Sequence, residues 1–405
     1  MTILLPDILH EVFLHLTETD PISGEYRTDA LNHIYQCILV NREWCKIAIP
    51  ILWKQPFHFG LVKSMRVTSM YLKCLNGNAR DNLIENGIDI DRLIERSMAL
   101  SFITNSSHPQ FQPMFPYPKY IRTLMYESLL RSVRDLLSDE EADEEETDDE
   151  NDNINDQIKL IMRSLLQLSM QQGASLCSLW IYPGLKNDYD LYQVLEEPEC
   201  MNLVKNVKHL EIHGPCRRDD LFTLLGRICH QVESLCIDTL WSRHAFEKHI
   251  ERTGECIASL ISSQRSLRYF RLSVCKGYTR IFFPALASHT STLRQISFDQ
   301  VDFKDCGEWT SISECKNLEL LEVTQCSNLT AEMIRPLIND NTENNGSSSP
   351  DKTRGRFGEN FEVRYIRIRP FCKEFEDFAN RFNSNRQRDV VLPFQLDEAR
   401  NRSGK

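Results

Sequence analysis

Two places in this chain bring together side chains capable of chemistry. The first is His209-Leu210-Glu211-Ile212-His213. Imidazole nitrogens and a carboxylate are competent zinc ligands, and strand alternation would put all three on one face. Neighbours on such a face lie almost 7 Å apart, about twice the 3.3 Å rise, too far to converge on one ion. The pattern therefore reads as polar residues on an exposed strand. The second place is Cys229-His230, an adjacent pair beside an apolar helical face, where a thiol is a small core residue rather than a nucleophile with its base. The 405 residues contain no G-x-x-x-x-G-K-[ST], H-E-x-x-H, G-x-S-x-G or G-x-G-x-x-G. Fourteen cysteines include no C-x-x-C pair, which argues against zinc and thioredoxin-type sites. The expectation is a chain without catalytic residues, without a metal site and without a cofactor, whose work is binding.

The histidine pair belongs to a repeated element. The frame L-x-x-L-x-L, with apolar substitutes, starts at Leu176, Val207, Val232, Leu267, Leu293 and Leu318, and again at Val363. The first six starts are 31, 25, 35, 26 and 25 residues apart, and apolar helical stretches such as Leu221, Leu224, Leu225 and Ile228 lie between them. One such frame carries no weight, because leucine is common; six in tandem do. The strand-then-helix unit resembles the leucine-rich repeat, whose frame continues to an Asn or Cys. Cys275 and Cys326 stand at that place, and Leu318 to Thr330 is the clearest copy. The resemblance implies a curved solenoid of parallel strands with outer helices, in which frame residues face inward and alternate residues form an open surface. Counting by twos from each start places Trp180, Tyr182, His209, Glu211, His213, Asp238, Tyr269, Arg271, Asp299 and Glu322 on that surface as candidate target-binding residues. A seventh strand would add Tyr365, Arg367 and Arg369.

The repeats are preceded by a different pattern. Pro6 suits a first helical position and Asp7 a first turn. Ile8, Leu9, Val12, Phe13 and Leu16 then form an apolar stripe at helical spacing. Leu31, Ile34, Tyr35, Ile38 and Leu39 form a second. Asn41 is placed to cap a third helix carrying Trp44, Ile47 and Ala48, which Pro50 is expected to end. Three helices this apolar cannot all face inward in so small a unit, so part of their surface is expected to meet a partner. Leu5-Pro6, Ile8-Leu9, Val12-Phe13 and Leu16, then Val40-x-Arg42-x-Trp44 and Leu52-Trp53, resemble the F-box motif. That three-helix module docks on the Skp-type adaptor of cullin–RING ubiquitin ligases. The resemblance covers the first sixty residues or so and departs from the family pattern at Thr17 to Ala30, a longer and more polar connection. It implies adaptor contacts by Leu5, Pro6, Ile8, Leu9, Val12, Phe13, Leu16, Val40, Trp44, Leu52 and Trp53.

The expected organisation is α/β: an F-box-like helical module over 1–59, a helical linker region over 60–138, an acidic tract over 139–153, repeats over 154–383 and a tail over 384–405. Within 60–138, helices are expected over Val67 to Leu75, Ile90 to Met98 and Tyr120 to Leu137. His108 to Lys119, rich in proline and aromatics, is expected to be an extended strap packed on them. Asp139 to Asp152 holds eleven acidic residues and no basic one. Such a run repels itself and buries nothing, so it is expected to be disordered, as is a Ser/Gly/Asn-rich insertion over about 341–360. Removing those eleven acids from 58 leaves 47, equal to the 47 Lys and Arg, so the net charge of −11 belongs to one tract. Nothing in the composition suggests a nucleic-acid or membrane partner. Unpaired thiols and the absence of a signal-like start suggest cytoplasm or nucleus. Together the two resemblances imply a substrate receptor of a cullin–RING ligase, with an unknown protein target. The alternative is a nuclear acidic leucine-rich-repeat protein that binds basic partners such as histones.

Overall fold

The computed structural model describes residues 6–16, 28–58, 61–99, 113–138, 148–182, 189–213, 219–238, 247–275, 279–304, 306, 309–330, 333 and 365–369. It is α/β, with parallel strands and helices between them, and it divides into two compact units. The first comprises Met1–Glu233 with Ser263–Arg265, the second Ser234–Ser262 with Ser266–Lys405. Residues 60–138 fall within the first unit, where the helix ending at Leu137 packs on the first strands.

In the first unit, α1 (Pro6–Leu16) begins on its proline, α2 (Thr28–Ile38) follows, and α3 (Arg42–Leu52) completes the trio. The Asn41 side chain accepts the Trp44 N–H at 2.9 Å, the N-cap its position suggested. Pro50 does not end α3. It sits in the last turn, where its missing N–H removes a single bond, and the helix closes as Trp53 N–H donates to the Ile49 carbonyl at 3.0 Å. Leu9 and Phe13 pack with Ile34, Ala48 and Ile51 in one core, and the Phe13 ring meets Trp44 edge-on at 5.3 Å. Next come α4 (Leu61–Lys73), α5 (Gly77–Glu85) and α6 (Ile90–Ala99). The strap packs over its described part, where Pro118 is buried and the Tyr117 ring lies 4.2 Å from Trp53, but it is not extended throughout: Tyr117–Tyr120 forms a turn of 3-10 helix.

The helix expected over Tyr120 to Leu137 is a strand followed by a shorter helix: β1 (Thr123–Met125), then α7 (Tyr126–Leu137). Helix α8 (Asp148–Gln171) leads to β2 (Ser178–Ile181); α9 (Tyr189–Glu196) and α10 (Pro198–Val204) lead to β3 (His209–His213), which α11 (Asp219–Ile228) follows. Strands β1, β2 and β3 pair in parallel, with Leu124 opposite Leu179 and Leu179 opposite Leu210. All three of these leucines are buried. Because α8 begins at Asp148, the end of the acidic tract lies in a helix rather than in a loop; residues 139–147 are outside the described residues.

The second unit contains β4 (Ser234–Asp238), α12 (Glu247–Ser262), β5 (Tyr269–Ser273), α13 (Thr279–Phe282), β6 (Gln295–Asp299), α14 (Thr310–Ser313), β7 (Leu320–Thr324) and β8 (Tyr365–Arg369). Its strands pair in parallel in chain order, with Phe270, Ile296 and Leu321 in one row and Leu272, Phe298 and Val323 in the next. All six are buried. The seventh frame forms β8, registered on β7 with Ile366 opposite Leu321; the insertion before it is outside the described residues. The core is aromatic: Phe298 has Phe283, Phe303 and Trp309 rings within 5.7 Å. Each of three strands ends in a left-handed residue, Val274, Gln300 and Gln325, with φ of 51°, 54° and 53°. The residue after each turns inward: Cys275 and Val301 are buried, and the Cys326 thiol accepts the Val301 N–H at 3.4 Å while donating to the Thr324 carbonyl at 3.3 Å. The cysteine at that place thus satisfies backbone groups that the turn leaves open.

Candidate functional site

Two surfaces emerge, one in each kind of structure. On the N-terminal trio, the helical stripes are too wide for the core they share. Leu9 and Phe13 fill it, and Ile38, Trp44, Ile47 and Leu52 pack against it half-buried. Ile8, Val12 and Leu16, four residues apart on one side of α1, are left at 48%, 44% and 40% exposure. Tyr35, Leu39 and Val40, along α2 and just beyond it, are more exposed still. A folded unit seldom leaves so many large apolar side chains in water without a partner for them.

This division corrects the expected adaptor contacts. Leu9 and Phe13 belong to the interior, because one face of α1 must close against α2 and α3. Trp44 and Leu52 face the same core. Trp53 turns away to stack on Tyr71, 5.9 Å between centroids, and to meet the Tyr117 ring at a tilt, which fixes the end of α3 to α4 and the strap. Pro6 is exposed, and Leu5 lies outside the described residues. Tyr35, Leu39 and Leu14, absent from the expected contacts, are exposed as well. Exposure, not spacing, distinguishes them, and an apolar helix broader than its neighbour can cover was the available signal.

The second surface is the open face of the strands. In the first unit, Tyr182 stacks flat on His213 at 4.5 Å and 6°, and His213 Nε2 lies 3.0 Å from a Glu211 carboxylate oxygen. His209 is exposed one row away, beside Ser178. Glu211 and His213 thus meet although the strand rise argued against it, while His209 does not join them. Trp180 contradicts its expected role. It is only 8% exposed, its indole N–H donates to Ser178 Oγ at 2.8 Å, and His58 meets its ring edge-on. The segment after α3 covers that end of the face, so an alternate strand position became interior.

In the second unit, Tyr269 is 43% exposed and Arg271 is exposed two residues along the same strand. Asp238, Asp299 and Glu322 are half-buried, and Ser297 Oγ donates to Glu322 at 3.2 Å. Tyr269 is in register with Gln295, and Arg271 with Ser297, which is itself opposite Glu322. This is a polar, mixed-charge surface fixed to rigid strands. Three thiols are held in their protonated form. Burial pushes Cys229 and Cys315 up to about 12, and Cys326 to about 11 despite the Val301 N–H. No described helix is long and apolar enough to cross a membrane. Comparison of the chain with protein-family models, with curated proteins and with solved structures finds no match.

Proposed function

We propose that this chain is an F-box protein with leucine-rich repeats, serving as the substrate receptor of a cullin–RING ubiquitin ligase. One observation carries the reading: the stripes Ile8, Val12, Leu16 and Tyr35, Leu39, Val40 stay exposed although the helices bearing them already have a complete core. The Skp-type adaptor is the partner for that surface. The polar strand face, with Tyr269 and Arg271 outermost, holds the target. The receptor performs no bond-making step; it raises the effective concentration of target lysines near the ubiquitin-loaded enzyme.

Because Leu9 is interior, its truncation would unfold the module and test nothing about docking. The discriminating variant replaces exposed residues: Val12→Asp with Leu39→Asp. Fully burying one such side chain is worth roughly 1.5–3 kcal/mol, and burying a lone carboxylate costs more. The folded double variant is expected to lose co-purification of adaptor and cullin from cell extract. Undiminished capture of both refutes the reading. Capture of histones alone by the unaltered chain favours an acidic chaperone of basic proteins instead. Tyr269→Ala and Arg271→Glu should impair target capture and leave the adaptor bound.

A further inference from the structure

Two Asn-Gly steps lie among the described residues, and they flank one short helix. Asn76-Gly77 opens α5, and Asn86-Gly87 follows its last residue. Both steps are exposed. An asparagine before a glycine carries a reaction within its own backbone: the glycine nitrogen attacks the side-chain carbonyl of the asparagine, because no Cβ on the glycine bars the approach. The rate then depends on what holds the reacting groups away from each other.

The fold holds the two steps differently. Gly87 is demanded by the chain: its φ is 79°, the left-handed conformation that closes α5. Its N–H donates to the Ile84 carbonyl at 2.9 Å, so the attacking nitrogen is engaged. The Asn86 amide is engaged too, donating to the Asn82 carbonyl at 2.7 Å and to Asn82 Oδ1 at 3.1 Å. No such demand applies at Gly77. It is the first residue of α5, its φ is not left-handed, and a Cβ added there would meet nothing within 4 Å. Alanine fits and is the better helix former, so the fold does not require this glycine. Among the described residues nothing accepts the Gly77 N–H, as befits the first turn of a helix. One good bond holds the Asn76 side chain, Oδ1 accepting from the Ala79 N–H at 2.9 Å; its Nδ2 is 3.5 Å from Gln171 Oε1, at the limit of a hydrogen bond. Turning Asn76 onto the Gly77 nitrogen releases that cap, which slows closure by roughly fivefold. Closure at Asn86 has to release three bonds instead of one.

We propose that Asn76 is a site of spontaneous deamidation and, once isomerised, a substrate for a protein isoaspartyl methyltransferase. The Gly77 nitrogen gives its proton to hydroxide and bonds to Asn76 Cγ; the Cγ–Nδ2 bond breaks, and ammonia leaves a cyclic imide. Water then opens the ring. Breaking the new Cγ–N bond leaves aspartate, which still caps α5 and adds a negative charge at its N-terminus. Breaking the original peptide bond leaves isoaspartate, which inserts a methylene into the main chain and displaces the capping oxygen. The methyltransferase moves a methyl group from S-adenosylmethionine to the carboxylate so formed, releasing S-adenosylhomocysteine.

The full-length folded chain is held at mildly alkaline pH and body temperature, sampled over weeks, and its peptides are mapped by mass spectrometry. The mass gain of amide-to-acid conversion should accumulate at Asn76 at least about tenfold faster than at Asn86. Equal rates, or faster change at Asn86, overturn the proposal. In a synthetic peptide of residues 73–90 the two sites should react at similar rates; a tenfold difference persisting there overturns the attribution to the fold. Gly77→Ala should fold as the unaltered chain does and suppress the change at residue 76, and its persistence in that variant overturns ring closure through Gly77. Purified isoaspartyl methyltransferase with radiolabelled S-adenosylmethionine should label the residue-76 peptide of aged protein and not of fresh protein. Absence of label on aged, deamidated chain overturns the methyltransferase's part.

Discussion

The N-terminal trio and the strands of the second unit solve the same problem in opposite ways. Along β5, β6 and β7, apolar residues alternate with polar ones, and every frame residue finds an interior place. Along α1 and α2 and just beyond them, the apolar stripes run past the edge of what α3 can cover, and seven large side chains stay in water. A strand divides its residues between two faces with no remainder, whereas a helical stripe has a width that a neighbour of given size either covers or does not. The uncovered remainder marks where binding energy is stored for a partner. The polar strand face carries no such reserve, and its specificity must come from placed side chains such as Tyr269 and Arg271.

The largest effects should separate interior from surface on the trio itself. Phe13→Ala is expected to cost about 3–5 kcal/mol in denaturant unfolding, and Phe298→Ala a similar amount in the aromatic core. Val12→Ala, one residue earlier but on the exposed face, should change stability by no more than about 0.5 kcal/mol. Equal losses at Phe13 and Val12 would erase the distinction between the two faces of α1.

A pH dependence follows from His289. It is buried, its Nε2–H donates to the Ile261 carbonyl at 2.7 Å, and burial lowers its affinity for a proton, only partly offset by that hydrogen bond. The unfolded chain takes up a proton near pH 6.5 that the folded one refuses. Stability is therefore full above that value and declines as pH falls below it. His289→Gln should flatten this slope in melts between about pH 5 and 7.5; an unchanged slope would assign it to other groups.

The smallest effect concerns the turns. Val274 holds φ at 51°, a conformation that crowds a β-branched side chain. Val274→Asn should raise the stability of the second unit by about 0.5–1 kcal/mol, measured by urea unfolding. A loss would mean that the valine side chain contributes more by packing than it costs by strain.

The strand unit was legible because its two signals agree: the frame repeats, and each frame residue needs burial. Even the seventh frame appears in register. The first strand was overlooked although Ile121, Leu124 and Tyr126 follow the same frame and are all buried. Fifty-five residues separate it from the next start, because α7, the acidic tract and α8 intervene, so spacing could not reveal it. On the surfaces, sequence fared less well. Periodicity identifies the apolar side of α1 but cannot say which part of it a neighbour covers, which is why Leu9 and Val12 looked equivalent. Alternation places Trp180 on the open face, and only a segment more than a hundred residues upstream, carrying His58, makes that position interior.

The thiols of the repeats have a practical consequence. Cys229 donates to the Val204 carbonyl, Cys315 to Ser311 and Cys326 to Thr324, and all three sulfurs remain protonated at neutral pH. Alkylating reagents act on thiolates, so each of these cysteines is silent until its own turn opens. Because they sit in different turns along the chain, timed labelling with peptide mapping would date the opening of each separately. The protein carries its own set of unfolding clocks, without a probe having to be introduced.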